Sequence, residues 1–279
     1  MARDTNRQQE RALQPRWRLA RGDSLTRVQL ERIEQAVAAG SEVFSSYQQE
    51  PERGAWWGRL PCSAGDLFVK GRLIDRSRQR WASLVLPRGL RREWQNSLWH
   101  RGLGMPCAEP LALGEYRSFG ALSVSVLVTR WVSNARTLAD AGHDLADTAE
   151  RLPLIRRAGV LFGELFERGA IHKQFHPWNV LVVQASDTRR LRLLPVDLQH
   201  LWISRRLHDE DFRWALRQVS FWLHAPVIDW SDPGEAREFY SAALAAALPS
   251  LRNPGNLESD LESLVSNGRQ PRKLKRQDQ

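Results

Sequence analysis
The stretch His172-Lys173-Gln174-Phe175-His176-Pro177-Trp178-Asn179 constrains this chain more than any other. Its last residue opens directly onto an apolar segment, Val180-Leu181-Val182-Val183, and a second apolar segment, Leu193-Leu194-Pro195-Val196, ends in Asp197. Two short buried strands joined by the polar loop 184–190 satisfy this pattern. An unpaired carboxylate at the end of a buried strand is costly, and magnesium or a lysine would offset that cost. Asn179 and Asp197 are therefore candidate metal-facing residues, set against the plainer readings of a turn amide and a hairpin acid.

The 279 residues suffice for one large domain or two small lobes. No apolar run approaches a membrane span and the Arg-rich start lacks a signal-type apolar region, so a cytoplasmic location is expected. Cys62 and Cys107 are too few for a disulfide framework and have no metal-ligand neighbours in sequence. The net charge of +9 is carried almost wholly by arginine, since Lys70, Lys173, Lys273 and Lys275 are the only lysines. No helix-turn-helix, zinc or RNP signature accompanies that charge, so nucleic acid is not an expected partner.

Residues 1–23 read as a flexible basic arm. A helix capped by Ser24 follows, with Leu25, Val28, Ile33 and Val37 on its apolar stripe and Gly40 as its stop. Segments 42–47, 55–60, 66–73, 111–116 and 122–131 read as five strands, interrupted by a helix over 90–100. The fold class is α+β: a small antiparallel-sheet lobe over 24–131, then a mainly helical lobe over 132–266, with helices at 144–167, 209–224 and 233–248. Within it, Leu152, Ile155, Val160, Phe162, Leu165 and Phe166 form the apolar face of the first helix. Residues 267–279 form a basic tail. Most tryptophans, among them Trp94, Trp99, Trp214 and Trp222, fall on apolar helix faces and read as core, while Trp56 and Trp57 must point to opposite faces of a strand.

Chemistry-bearing residues occur in a defined order. Lys70 ends the strand Leu67-Phe68-Val69-Lys70, and Glu93 lies on the helix that follows. The His172–Asn179 stretch then has the spacing of the kinase catalytic loop H-R-D-x-x-x-x-N, with Gln174 in the place of the catalytic Asp, and Asp197 occupies the context of the D-F-G acid. Phosphoryl transfer needs these parts to position phosphates and neutralise their charge. Gln174 can orient a hydroxyl but cannot take its proton. His176, offset by two residues, is the other candidate base, and its plainer role is to brace the loop. In the place of a phosphate loop, segment 48–58 has only Gly54 and Gly58 and no G-x-G-x-x-G, so Gly54 is a candidate for backbone approach to a cofactor's phosphates, set against an ordinary strand-connecting loop.

With these residues in order, the chain resembles the bacterial lipopolysaccharide kinase family, which includes the Kdo and core heptose kinases, over roughly 40–230. The His-Pro-x-Asn ending of the loop is also similar to that of aminoglycoside and choline kinases. The resemblance implies a two-lobed protein-kinase-like fold and transfer from ATP, with Mg2+, to a sugar hydroxyl of the lipopolysaccharide inner core at the inner membrane. It implies that Lys70 holds phosphates with Glu93 positioning it, that Asn179 and Asp197 hold metal, and that Thr129 and Trp131 lie in the adenine-receiving hinge. Two outcomes stay open: an enzyme lacking the usual base, or a pseudokinase acting as a partner in core assembly. The expected partners are a lipopolysaccharide core intermediate or an assembly protein, with an anionic membrane surface met by Arg11, Arg16, Arg18, Arg21 and the 269–276 tail.

Overall fold
The computed structural model describes residues 16–20, 25–74, 89–118, 121–145, 148–184, 191–223, 233–253, 257 and 263. The expected Ser24 cap, the 184–190 loop beyond Gln184, most of the arm and the basic tail lie outside these residues. The chain divides into two compact units between Ser133 and Asn134.

The first unit is an antiparallel sheet with a helix against each face. Helix α1 (Arg27–Ala39) starts at Thr26, where a reciprocal capping box forms. The Thr26 amide donates to the Gln29 side chain (2.9 Å) and the Gln29 amide donates to Thr26 Oγ1 (3.2 Å). Ile33 and Ala36 are fully buried, but Val28 is 72% exposed, so the apolar stripe is narrower than its sequence spacing indicates. The expected strand over 42–47 is not formed. Gly40–Val43 continues from α1 as a 3-10 turn, Phe44 is buried against Tyr47 and Trp56, and strand β2 begins only at Ser46.

Naming the remaining strands of this sheet β1 (Arg16–Leu19), β3 (Ala55–Leu60), β4 (Leu67–Leu73), β5 (Pro110–Ser118) and β6 (Ala121–Arg130), with β2 as Ser46–Glu50, the order is β1-β5-β6-β4-β3-β2. The sheet thus has six strands, not five: β1, inside the segment read as an arm, pairs with β5 from Arg16↔Glu115 to Leu19↔Ala112. Trp17 anchors it by packing over Gly114, where a Cβ would meet the indole at 2.8 Å, and by donating Nε1–H to Glu34. The exposed Arg16 and Arg18 place charge on this sheet edge, which discourages further strand pairing.

Strand alternation sorts the side chains. Leu67, Val69, Val126, Val128 and Trp56 face α1. Leu113 and Leu127 face the opposite way and pack with Leu90 and Trp94 of helix α2 (Leu90–Gly102). In-register neighbours share a face. Trp57 and Leu127 stand opposite Lys70, which puts Lys70 on the α2 side.

The second unit is mainly helical. Helix α3 (Leu138–His143), capped by Thr137, precedes α4 (Thr148–Glu167), so the helix expected to begin at residue 144 starts later and is preceded by a separate short helix. Helices α5 (Asp209–Leu223) and α6 (Pro233–Ala247) follow. Leu154, Ile155, Leu161, Phe162, Leu165 and Phe166 of α4 are buried, whereas Val160 is 37% exposed. Gly159 and Gly163 face α6 so closely that a Cβ on either would collide with the carbonyl oxygen of Phe239 or Ala243. Two small sheets hold the strands of this unit. One, β10-β9-β7, is formed by Leu191–Pro195, Val180–Gln184 and Ala135–Thr137, and the other is a ribbon of β8 (Ala170–His172) with β11 (Leu201–Ile203). Among the described residues no helix is long and apolar enough to cross a membrane.

Candidate active site
In the first unit, Lys70 Nζ donates to Glu93 Oε2 at 2.9 Å, and the two side chains are 20% and 9% exposed. The strand brings Lys70 to the α2 face, and Glu93 sits in the first turn of α2, where its amide hydrogen-bonds back to the Gly89 carbonyl. At this burial an unpaired partner would be costly, so the carboxylate fixes where the ammonium stands. Thr129 lies two register steps from Lys70 along β6, opposite Phe68. Trp131 is held by its own neighbours: its amide donates to the Asp66 carbonyl (2.9 Å), Phe68 packs on its ring, and the Arg59 guanidinium lies 5.3 Å from its centroid.

The glycine-poor segment is a tight hairpin. Pro51–Arg53 forms a 3-10 turn and Gly54 takes a left-handed conformation (φ +59°), which explains its identity. Its amide donates to Pro51 O (3.0 Å) and its carbonyl accepts from the Leu73 amide (2.7 Å), so Gly54 has no amide left for a phosphate in this geometry. Gly58 is a packing glycine within β3, beneath which Phe44 and the Ser46 carbonyl leave no room for a Cβ. Turn geometry is thus sufficient to account for a glycine at position 54.

In the second unit, the His172–Asn179 segment leaves β8 and returns through a 3-10 turn (Pro177–Asn179) into β9. Phe175 anchors it by inserting among Phe162 of α4 and Phe239 of α6, while Phe162 also touches Phe212 of α5. Gln174 is exposed, and its carbonyl accepts from the His176 amide (2.9 Å) and from Asn179 Nδ2 (3.1 Å). Because a carbonyl can only accept, this contact fixes the orientation of the Asn179 amide. Asn179 Nδ2 also donates to His176 Nε2 (3.0 Å). Both amide hydrogens of Asn179 are thereby engaged with the loop, and its Oδ1 remains as the atom able to meet a cation. The Val196 amide donates to the Asn179 carbonyl (2.9 Å), which sets Asp197 beside the start of β9.

Asp197 adopts a left-handed conformation (φ 57°, ψ 44°), one that Asp tolerates better than most residues. Gln199 Nε2 donates to Oδ1 (3.0 Å) and Oδ2 (3.2 Å), and His200 Nε2 lies 3.7 Å from Oδ2. Neither Gln199 nor His200 is conspicuous in sequence, because their roles depend on the turn at Asp197. Lys173, second residue of the loop motif, places its ammonium 5.2 Å from the ring of Trp202 and 5.9 Å from that of Trp214.

Both loop histidines make hydrogen bonds within this arrangement. Burial holds His176 below its ordinary pKa, opposed by the Asp197 carboxylate, and its Nε2 lone pair is already used by Asn179. His172 is buried and donates Nε2–H to the Val196 carbonyl (3.0 Å); burial pushes its pKa down to about 4. The unfolded chain therefore binds a proton that the folded chain refuses. The stability associated with neutral His172 is fully present above about pH 6.5 and is lost as the pH falls toward 4, at roughly 1.4 kcal/mol for each pH step of one within that window. Urea melts at pH 7 and 4.5 are expected to differ by about 2–3 kcal/mol from this residue, and by correspondingly less in His172→Gln.

Among the described residues, no three His, Cys, Asp or Glu side chains gather as a metal cluster. Magnesium keeps much of its coordination for water and phosphate, so such a cluster is not required to hold it. A family model described as the lipopolysaccharide kinase (Kdo/WaaP) family matches residues 42–234, well over half of the chain. The chain belongs to the lipopolysaccharide kinase family. Among solved structures, that of WaaP in complex with acyl carrier protein aligns at 17% identity and TM-score 0.61, over 91% of this chain and 100% of that one. The Rio2 kinase from Chaetomium thermophilum, in an ADP/Mg2+-phosphoaspartate complex, aligns at 13% identity and TM-score 0.50, over 95% and 82%. These likenesses give this lipopolysaccharide kinase family member a two-lobed, protein-kinase-like fold. No curated protein matches its sequence.

Proposed function
We propose that this family member transfers the γ-phosphoryl group of ATP to a sugar hydroxyl of the lipopolysaccharide inner core, with magnesium and without a carboxylate base. The observation that carries this reading is the buried Lys70–Glu93 pair in a chain whose loop also fixes the Asn179 amide, with the Val196 amide, next to Asp197, bonded to the Asn179 carbonyl. Lys70 would serve the nucleotide phosphates, Glu93 would hold its ammonium in place, and Thr129 and Trp131 would border the adenine. Asn179 Oδ1 and the Asp197 carboxylate would hold magnesium, which supplies charge neutralisation at the phosphates when bound. Binding requires the Gln199 amide to share or release the carboxylate oxygens it now occupies.

Gln174, exposed at the base position, can hydrogen-bond the acceptor hydroxyl and hold it in line, but it cannot accept the proton. Phosphoryl transfer passes through a loose transition state, so the hydroxyl proton can leave late and to water. A missing base costs roughly 10²–10⁴-fold. The expected enzyme is slow, with positioning and charge neutralisation supplying its rate. The same Gln174, with the occupied Gly54 amide, favours a second reading: a nucleotide-binding pseudokinase that supports core assembly through a protein partner. The complexed state of WaaP suggests a carrier protein as that partner. A cytoplasmic position at the inner membrane, reached through exposed Arg16 and Arg18 and the basic tail, suits either reading.

The test is transfer of labelled phosphate from ATP to dephosphorylated core oligosaccharide, alongside thermal melts with and without AMP-PNP and magnesium. At a ligand concentration one hundred times Kd, stabilisation is about 2.7 kcal/mol, a shift of several degrees. Lys70→Ala is expected to abolish most of that shift and the transfer together. A nucleotide shift without transfer to any core acceptor would leave the pseudokinase reading, and the absence of both would reject nucleotide binding altogether.

A further inference from the structure
Lys173 stands between the first residue of the loop and Gln174, and aromatic rings lie close to it. Its amide donates to the His200 carbonyl (3.1 Å), which extends the β8–β11 ribbon one step beyond the His172↔Leu201 pair. Ile171 and Trp202 are paired in that ribbon, so alternation puts Lys173 on the face that carries the Trp202 indole. The ammonium lies 5.2 Å from the centroid of the Trp202 ring and 5.9 Å from that of Trp214, both within cation–π range.

Trp214 does not lie where packing of α5 on the core would place an indole. The buried apolar residues of α5 as far as Val219 are Phe212, Ala215, Leu216 and Val219. With about 100° of turn per residue, Trp214 projects roughly 150° from the middle of that stripe. It is half-buried, as are Trp202 and Lys173. The two indoles come from different elements, β11 and α5, and converge on one ammonium.

Both neighbours of Lys173 in the chain are held as well. His172 donates Nε2–H to the Val196 carbonyl, and the Gln174 carbonyl accepts from the His176 amide and from Asn179 Nδ2. His200, whose carbonyl receives the Lys173 amide, places its Nε2 3.7 Å from Asp197 Oδ2. Lys173 thus joins the Gln174 loop to the segment that follows Asp197, and its side chain reaches α5. A lysine side chain loses much rotamer freedom when it is fixed, and attraction of the ammonium to the ring faces offsets that loss at one position.

We propose that Trp202 and Trp214 are positioning residues for the acceptor side of the transfer, acting through the Lys173 ammonium to hold the Gln174 segment against the segment after Asp197. The chemical consequence rests on the kinase reading, whereas the clamp is a property of the loop. Gln174 cannot take the acceptor proton, so its contribution is orientation, which a loosened loop forfeits. A shift of about 1 Å in an orienting group costs about 10²-fold in rate. The plainer alternative is that the two tryptophans only cover the lysine stem. In that case an apolar residue of similar length at position 173 serves equally well.

The test compares full-length Lys173→Met, which keeps the apolar stem, with Lys173→Arg, which keeps a cation able to stack on indole. Hydrogen exchange of the Phe175, His176 and Asn179 amides, each bonded to a carbonyl within the loop, reports on its order. Lys173→Met is expected to speed exchange at these amides about tenfold, with the α4 amides unchanged and the melting temperature within about 2 °C of wild type. Lys173→Arg is expected to keep wild-type exchange. Trp202→Leu and Trp214→Leu are expected to speed the same loop amides, and to add nothing further in the Lys173→Met background, because their effect passes through the ammonium. In transfer to core oligosaccharide, Lys173→Met is expected to lower kcat about tenfold or more at unchanged KM for ATP. Wild-type loop exchange in Lys173→Met, effects of the tryptophan and lysine substitutions that simply add, or faster exchange spread through α4 with a lower melting temperature would overturn the proposal. So would a raised acceptor KM confined to the lysine variants, which would make Lys173 a contact with substrate. If the wild-type protein transfers phosphate to no core acceptor, the proposed function fails while the exchange data still decide the clamp.

Discussion

Asp197→Ala is expected to remove the magnesium-dependent part of any nucleotide-induced stabilisation and to lower phosphotransfer by about 10²–10³-fold, the usual cost of deleting one preorganised electrostatic group. The unliganded protein is expected to lose little stability. Asp197 is a non-glycine residue in the left-handed region, where replacement of its side chain does not open a buried apolar contact; the Gln199 amide and the His200 imidazole are among the groups near its carboxylate. Asp197→Gly sharpens the contrast, because glycine relieves the backbone strain while removing the carboxylate. Melting curves with and without AMP-PNP and magnesium check both variants. An unchanged magnesium-dependent shift in Asp197→Ala would exclude Asp197 as a metal-facing residue. Gln199→Ala serves as an internal comparison: it takes the competing amide away from both carboxylate oxygens and is expected to strengthen magnesium-dependent binding, provided Asp197 keeps its position.

The second large effect concerns the fold. Gly163→Val is expected to destabilise the protein by about 3 kcal/mol or more, and Gly163→Ala by somewhat less. A Cβ at this position would collide with the Ala243 carbonyl and meet the Ala246 methyl at 2.6 Å, so α4 and α6 would have to separate. Separation loosens Phe162 and Phe239, between which Phe175 anchors the loop. The drop in melting temperature is expected to be roughly 6–12 °C. Gly102→Ala is the control, since a Cβ there meets nothing within 4 Å and helix propensity favours alanine. Equal melting temperatures for Gly163→Val and wild type would refute the close packing of these helices.

The parts of the site that can be read in the sequence are those encoded by short spacing. Lys70 on a strand (mid-strand in β4 rather than at its end), Glu93 on the next helix, and Asn179 five positions after Gln174 all carry their meaning within a few residues. The structure adds relations between distant positions. Gln199 reaches the carboxylate because Asp197 turns left-handed, and the loop histidines meet the Val196 carbonyl and the Asn179 amide. Gly54 reads in sequence as a ligand-approach glycine, yet a turn residue and a phosphate-loop residue are the same letter; only its φ and its bonded amide separate them. Strand β1 is hidden for a related reason. Arg16-Trp17-Arg18-Leu19 alternates polar and apolar residues, but over four positions that is too short to mark a strand, and its pairing partner lies about a hundred positions away.

By itself, then, the sequence determined the α+β class, the order of sheet and helices, and the identities of the lysine, glutamate, asparagine and aspartate around which kinase chemistry is built. These follow from periodicity and spacing, which act within a turn or a strand. Tertiary structure alone decided that the sheet takes a sixth strand, that Gly159 and Gly163 let two helices meet backbone to backbone, and that indoles from β11 and α5 converge on the Lys173 ammonium. Such features depend on side chains that meet only after long loops have closed, and a spacing pattern along the chain holds no record of which distant partner will occupy the space beside a residue.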